Sequence, residues 1–499
     1  MDPIDTAVLF TYIAAVVALG FWFAKRSRST SEFTSAGGRL PGWAVGLSLF
    51  GTYLSSNTFI GNPGKGFSEN WAFFVFALTI PIGAWVASRW FLPFYRRSGH
   101  ISAYSHMEER LGPWARRYMV ICYLLTQVSR IGTIMLGVSL GMHAVTGWDV
   151  QTIIVATGIL VTAYTLIGGI EAVIWTDVVQ SIVLTLGAIL VIFLLWFGEP
   201  SGSSIIESAV AANKFSLGDV KFVLATPTFW SVLLFGIFIN LTNFGVDQNY
   251  IQRYHAARSE KEARRSLWIG ALVYIPVSAL FFFIGTLLWG FYTADANAAQ
   301  MAELSALKEA TGKEAGDNAL PHFMANHLPA GIGGLMVAAL FAAAMSTIDT
   351  SLNSSATVTL KDIFTSTKDP AGEMRILRVS TVCWGIIGTG VAYFLAFDSA
   401  SILDIWWKLS GIFAGGMLGL FLLAQIGKSV RNPAAITATM IGVLVIAWQS
   451  FAKADWMPGA LKSPLHAHFT VVIGTLTILL VGLLVDKILD WKSSKSRTI

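Results

Sequence analysis

Apolar runs of spanning length follow one another along almost the whole chain, separated by short polar interruptions. A helix needs about 20 such residues to cross roughly 30 Å of hydrocarbon. The pattern predicts thirteen spans, at 6–24, 42–62, 70–93, 118–142, 150–168, 175–198, 227–250, 267–291, 331–358, 379–396, 402–425, 434–451 and 468–486. The expected fold class is an all-α integral membrane protein. Two polar stretches stand apart. His100–Arg117, charged and carrying Pro113 and Trp114, reads as an amphipathic lead-in on the membrane surface, and 292–330 is expected to hold a surface helix around Ala302–Ala310.

Two of the spans are chemically irregular. Gly51-Thr52-Tyr53-Leu54-Ser55-Ser56-Asn57-Thr58, followed by Gly61-Asn62-Pro63-Gly64, crowds polar and helix-weakening residues into the second. Asn240-Leu241-Thr242-Asn243-Phe244-Gly245-Val246-Asp247-Gln248-Asn249 does the same five spans later. Interrupted helices in corresponding positions of two halves point to a binding site near the bilayer midplane. Unwound backbone survives at that depth only where it lines a cavity or is packed in protein. A simple glycine kink accounts for one such segment better than for two in register.

Composition agrees: 54% of the 499 residues are hydrophobic and 13% charged, about half the charged share of a soluble domain. Lys and Arg gather in alternate loops. Lys25, Arg26, Arg28 and Arg39 follow the first span, Arg96, Arg97, Arg110, Arg116 and Arg117 precede the fourth, and Arg253, Arg258, Lys261, Arg264 and Arg265 precede the eighth. Facing loops carry few, such as Lys214 and Lys221. Positive loops stay cytoplasmic, so the N-terminus is expected outside and the C-terminus inside, in a bacterial inner membrane. The first span opens on Asp2 and Asp5, as a retained helix rather than a cleaved leader would. The net charge of +5 follows from the loop asymmetry, and no nucleic-acid partner is expected. Cys122 and Cys383 lie in apolar runs and predict no disulfide.

Ionisable groups inside spans are expensive and mark function or an internal partner. Ser346, Thr347, Thr350, Asn353 and Ser354 recur at helical spacing, mostly along one face, with Asp349 among them. Such oxygens suit a hard cation, although hydroxyls also bond to their own helix carbonyls. Asp177 lies near the cytoplasmic end of its span, at a depth where it meets the Ser346–Thr350 turn or snorkels to the surface. Arg130 lies about twelve residues from its cytoplasmic end, roughly 18 Å deep by helix rise. It needs a buried acid or a substrate anion, and its planar fork suits a carboxylate. Asp247 is expected nearer the cytoplasm, away from it.

Together these features resemble the sodium:solute symporter family over essentially the whole chain. The matches are Gly37-Gly38-Arg39-Leu40-Pro41-Gly42-Trp43, Leu54-Ser55-Ser56-Asn57-Thr58-Phe59, Gly168–Asp177, Gln252-Arg253-Tyr254 and Ala342-Ala343-Ala344-Met345-Ser346-Thr347, in that order. The resemblance implies a single transporter domain. Two five-helix inverted repeats, 42–198 and 227–425, would each open with a broken helix, with 6–24 and 434–486 as additions. It implies a first sodium site from the carbonyls of Gly51, Leu54 and Ala343 and the hydroxyls of Ser346 and Thr347. A second cation site, as in sialic-acid-transporting members, would use Asp177, Ser346, Asp349 and Thr350. Those members carry serine where this chain has Asp349, so the site would hold sodium more tightly or take protons. One or two sodium ions would accompany each substrate.

The same resemblance places the substrate among Tyr53, Ser55, Ser56, Thr58, Phe73, Arg130, Asn240, Asn243, Phe244 and Trp407. Arg130 matches an arginine that reads the carboxylate of sialic acid, and Asn240 an asparagine that contacts neutral sugar in galactose symporters. Ala77, Tyr53, Tyr274 and Trp407 replace polar pocket residues of one relative or the other, making this pocket more aromatic. The function expected is sodium-coupled import of a small polar solute, best an acidic sugar such as sialic acid, with a neutral sugar as the alternative. A monomer is expected. A membrane sensor or channel on the same body is the competing class: a sensor would want a domain beyond Lys487–Ile499, and a channel a continuous polar pore. An enzyme is disfavoured, because no His/Asp/Glu group shows metal spacing and His143, His322 and His327 lie outside spans or at their ends.

Overall fold

A computed structural model of the chain describes residues 2–24, 29–311, 314–364, 369–397, 402–427, 430–452, 454 and 456–496. Lys25, Arg26 and Arg28 lie outside the described residues, as do 497–499. The described residues form helices throughout, with one isolated β-bridge between Leu40 and Ala257.

The first span is α1 (Pro3–Ala24), and a short α2 (Thr30–Ser35) follows. Asp5 docks the N-terminal end of α1 by accepting the Gly331 and Gly334 amides, both at 2.7 Å. The second span is two helices, α3 (Gly42–Tyr53) and α4 (Ser56–Ser68), separated by extended backbone at Leu54 (ψ 85°) and Ser55 (ψ 177°). The third comprises α5 (Val75–Val86), a π-helical turn at Ala87–Phe91 and α6 (Leu92–Ser98). The surface lead-in is real but shorter than expected: α7 (Ser105–Leu111) ends at Gly112, and Pro113 starts α8 (Pro113–Thr146), the fourth span. Proline suits a first helical turn, where its missing N–H is not needed.

The fifth and sixth spans form one unbroken run of hydrogen-bonded turns, α9 (Val150–Phe197). It is nevertheless a hairpin. Tyr164 and Thr176 place their hydroxyl oxygens 2.8 Å apart, whereas a straight helix would separate these residues by about 18 Å. The reversal sits at Gly169 (φ 61°, ψ −177°), a region essentially closed to other residues.

The helix α10 (Gly202–Ala211) lies between spans, and the seventh span is again broken into α11 (Phe229–Val246) and α12 (Gln248–Ala256). The chain continues through α13 (Glu260–Thr293), the surface helix α14 (Ala298–Thr311), the largely buried α15 (Ala315–Asn326) and α16 (Ile332–Val358). The last spans are α17 (Pro370–Leu395), α18 (Ile402–Ile426), α19 (Asn432–Phe451) and α20 (Phe469–Ser496). Among the described residues, eleven helices are long and apolar enough to cross a membrane. The other two expected spans are the divided α3–α4 and the shorter apolar helix Val150–Leu166.

Packing is two-fold in pattern. Helix α5 packs on the broken α11 as α13 packs on the broken α3 and α4, and α9 packs on α3 as α18 packs on α11. Small residues let the backbones close. A Cβ on Gly285 of α13 would lie 2.2 Å from the Pro63 carbonyl of α4, and one on Gly66 would lie 2.6 Å from the Phe282 carbonyl. In lipid, where apolar burial gives helices little reason to associate, such close approach supplies the attraction.

Gly169→Ala should cost on the order of 1–3 kcal/mol and lower the melting temperature in detergent. Gly390→Ala, with open space around it, should leave melting unchanged or raised, since alanine favours a helix. Equal melting of both variants and the parent would contradict the strained reversal.

Candidate functional site

The two interruptions meet at the centre of the bundle, and their freed backbone groups are met by side chains. The last carbonyls of α11 each accept a tyrosine hydroxyl: Phe244 from Tyr254 at 2.8 Å, Gly245 from Tyr95 at 2.7 Å and Val246 from Tyr104 at 3.0 Å. Asp247 caps α12 by accepting the Asn249 amide at 2.9 Å, the usual role of an aspartate at a helix start. At the first interruption Thr58 donates to the Tyr53 carbonyl at 3.1 Å, and Ser56 to the Ile134 carbonyl at 2.8 Å.

Gly51, Leu54, Ala343 and Ser346 wall one small cavity together with Gln180 and Ser181 of α9. Gly51 has no side chain for a reason of space: a Cβ there would sit 3.0 Å from Ser181 Oγ and 3.1 Å from Ser346 Oγ. Thr347 donates to the Ala343 carbonyl at 3.3 Å and faces a second, larger cavity. The residues expected to hold the first sodium therefore converge, with Thr347 between the two chambers.

Asp177 is held from three sides. Ser346 donates to its Oδ1 at 2.6 Å, Ser48 to its Oδ2 at 2.5 Å and Arg253 to its Oδ2 at 2.9 Å. Arg253 is fully buried and spends every branch of its guanidinium, adding Ser48 Oγ at 2.8 Å, the Asn249 carbonyl at 2.9 Å and Thr350 Oγ1 at 2.8 Å. This corrects two expectations. Arg253 is no loop charge, and the space between Asp177 and Thr350 already holds a cation, the guanidinium. Asp349 is turned elsewhere. Its Oδ1 accepts the Thr350 amide at 2.6 Å, and its Oδ2 is buried without a partner, beside Tyr164 and Tyr12.

The larger cavity lies across both interruptions, among α3, α4, α8, α11 and α18. Tyr53, Ser55, Thr58, Phe73, Arg130, Asn243 and Trp407 line it, as expected. Ser56, Asn240 and Phe244 do not. Ser56 turns to α8. Asn240 lies behind Tyr53, its Oδ1 taken by the Tyr53 hydroxyl at 2.8 Å and its Nδ2 given to Thr79 at 2.9 Å. Phe244 packs its ring against Tyr53 and Tyr250, with centroids 5.9 and 5.4 Å away. Phe73, Phe76 and Phe235 gather round Trp407 with ring centroids 4.6 to 5.3 Å from it.

Arg130 has an acid of its own, contrary to expectation. Its Nη2 donates to Asp247 Oδ2 at 3.0 Å, both side chains buried. Counting residues along the span places Asp247 nearer the cytoplasm, but it cannot say where the side chain points at the break. The extended backbone at Asp247 (φ −82°, ψ 118°) re-aims that side chain toward α8. The other amino group, Nη1, is buried without a hydrogen-bond partner, and the guanidinium lies 5.2 Å from the centre of the Trp406 ring.

The sequence pattern of the sodium:solute symporter family matches residues 33–442. The chain belongs to this family. The symporter is 34% identical to the sodium/sialic acid symporter NanT of Aliivibrio fischeri, covering 95% of this chain and 91% of that one. It is 31% identical to the sodium/sialic acid symporter SiaT of Proteus mirabilis, over 96% and 94%. Its fold matches a substrate-bound, outward-open structure of a Na+-coupled sialic acid symporter with a TM-score of 0.86 at 30% identity, over 98% of both chains. The symporter is thus a multi-pass membrane transporter, not an enzyme, and sodium is its coupling ion.

Sequence reading missed Trp406, Thr126, Tyr250 and Thr242 in the cavity wall, and Gln180 and Ser181 at the small one. Thr126 lies four residues before Arg130, one helical turn along the same face, so its place was open to inference. The others depend on how helices cross.

Removing one partner of a buried ion pair leaves an uncompensated charge and costs about 3–5 kcal/mol. Arg253→Met should therefore collapse folding yield and melting temperature, while Arg253→Met with Asp177→Asn regains much of the loss. Equal losses in the single and double variants, read by melting in detergent, would break the pairing.

Proposed function

We propose that the symporter couples sodium entry to uptake of an acidic sugar of the sialic acid class. The observation that carries this reading is Arg130: one amino group is fixed by Asp247, and the other is unpartnered in the cavity wall. Because the Arg130–Asp247 pair is neutral together, a bound anion brings one net negative charge and a bound sodium one positive. Thr347 stands between the chamber proposed for sodium and the substrate cavity, so each ligand favours the other's binding, a reciprocal coupling. A carboxylate meeting Nη1 gains a charge-assisted bond, roughly twice as strong as a neutral one. The relatives' names support the same class. A neutral sugar fits less well, since both polar atoms of the Asn240 amide are already engaged.

In this reading the first sodium is held by Gly51, Leu54, Ala343, Ser346 and Thr347. The second cation site keeps Asp349 as its charge-bearing ligand. Arg253 balances Asp177, whereas Asp349 has no basic partner among the described residues, and a buried lone carboxylate calls for a cation. We further read the chain as a monomer of the bacterial inner membrane, N-terminus outside and C-terminus cytoplasmic, without nucleic-acid partners. Its repeats would run 42–198 and 227–425, the two-fold packing being their support.

Ser346→Ala with Thr347→Ala should abolish sodium-dependent uptake in proteoliposomes while the protein still expresses; unchanged sodium dependence would sink the first site. Asp349→Ser should keep transport but shift its sodium titration, and an identical titration and pH profile would make Asp349 structural.

Arg130→Lys should weaken substrate binding severely and leave sodium binding intact. Sialic acid and its neutral amide are then compared as competitors of uptake. Equal inhibition by the two, or full transport by Arg130→Ala, would move the substrate to a neutral sugar.

A further inference from the structure

At the opposite edge of the second interruption, the elbow from α6 to α7 brings together His100, His106 and Glu109. His100 Nε2 lies 3.0 Å from Glu109 Oε1, and His106 Nδ1 lies 3.5 Å from Glu109 Oε2. The two imidazoles stand nearly perpendicular with centroids 5.0 Å apart. One ligand atom from each residue falls within 4.8 Å of the other two. Two nitrogens and a carboxylate oxygen are a zinc donor set, and around a tetrahedral zinc at about 2.1 Å neighbouring ligand atoms sit roughly 3.4 Å apart. Small rotations close the difference, because the His100 and Glu109 side chains are 44% and 58% exposed.

His106 is the fixed member, 8% exposed and packed with a tilt against the Phe94 ring, centroids 4.5 Å apart. Its Nε2 has no hydrogen-bond partner among the described residues, and the nearest Glu109 oxygen to its Nδ1 is 3.5 Å away. The nearby Arg96 is committed elsewhere, donating to the Tyr254 and Ala257 carbonyls at 2.9 and 2.8 Å. The open side leaves a fourth position for water. Sequence spacing hid this group because residues 99–104 are a turn, which folds His100 back onto the α7 side chains.

The elbow also holds the second interruption in place. Tyr95 and Tyr104 bond the Gly245 and Val246 carbonyls, and the Gln248 amide bridges the Ile101 carbonyl and the Ala103 amide, both at 2.8 Å. Anything that ties His100 to α7 therefore stiffens the clamp on α11 and α12. We propose that His100, His106 and Glu109 bind one zinc-class divalent ion, and that the bound ion slows transport by stiffening this elbow.

The test uses the full-length protein in detergent, titrated with zinc chloride, and with cobalt(II) as a spectroscopic probe. The expected result is one ion per chain at micromolar affinity, a tetrahedral cobalt spectrum and a raised melting temperature. His100→Gln and Glu109→Gln, both at exposed side chains, should melt like the parent without metal and lose the ion. In proteoliposomes zinc should slow sodium-driven uptake several-fold for the parent and leave both variants unaffected. Absent binding, or binding retained by both variants, overturns the site. Binding that leaves parental uptake unchanged overturns the control of transport.

Discussion

A helix interrupted in hydrocarbon leaves carbonyls and amides that lipid cannot satisfy, and both interruptions here stand because the bundle brings partners to them. Three tyrosines from three different segments reach the last three carbonyls of α11, while Asp247 caps α12. The Tyr254 and Asp247 contacts are local in sequence, whereas Tyr95 and Tyr104 reach across 150 and 142 residues. The broken helices are thus fixed by the same packing that builds the cavity between them. A site of this kind is rigid where the phenols hold it and open where they do not.

The buried charges follow the same logic. Arg130 and Asp247 form one neutral pair, Arg253 and Asp177 another, each within hydrogen-bond distance. Both arginines bind residues at the interruptions, so charge balance and backbone satisfaction are linked. Asp349 is outside this balance, with one oxygen unpartnered.

The cavity has an aromatic character that changes what its polar groups can do. Tyr53 stands against Phe244, Tyr250 and Tyr274 with centroids 5.2 to 5.9 Å away, and its hydroxyl occupies Asn240. One side chain thereby removes an amide from the wall and substitutes a ring edge. The charged groups left in the wall are Arg130 and Asp247, with the guanidinium over the Trp406 face.

Apolar periodicity alone determined the spans, the two interruptions and the acids and hydroxyls gathered on α16, because a membrane admits few alternatives to a helix. The family resemblance, not periodicity, named the residues proposed for sodium and part of the cavity wall, Tyr53, Ser55, Thr58, Phe73, Arg130, Asn243 and Trp407; periodicity alone did not reach them. It did not reach the Arg130–Asp247 pair, the burial of Arg253, the turning away of Asn240 or the elbow histidines. The ion pair depends on the backbone angles at Asp247 and the elbow histidines on the turn at 99–104, while Arg253 and Asn240 are placed by side chains from other helices. Tertiary structure decided which charges meet, because neutral pairing is settled between helices far apart in the chain.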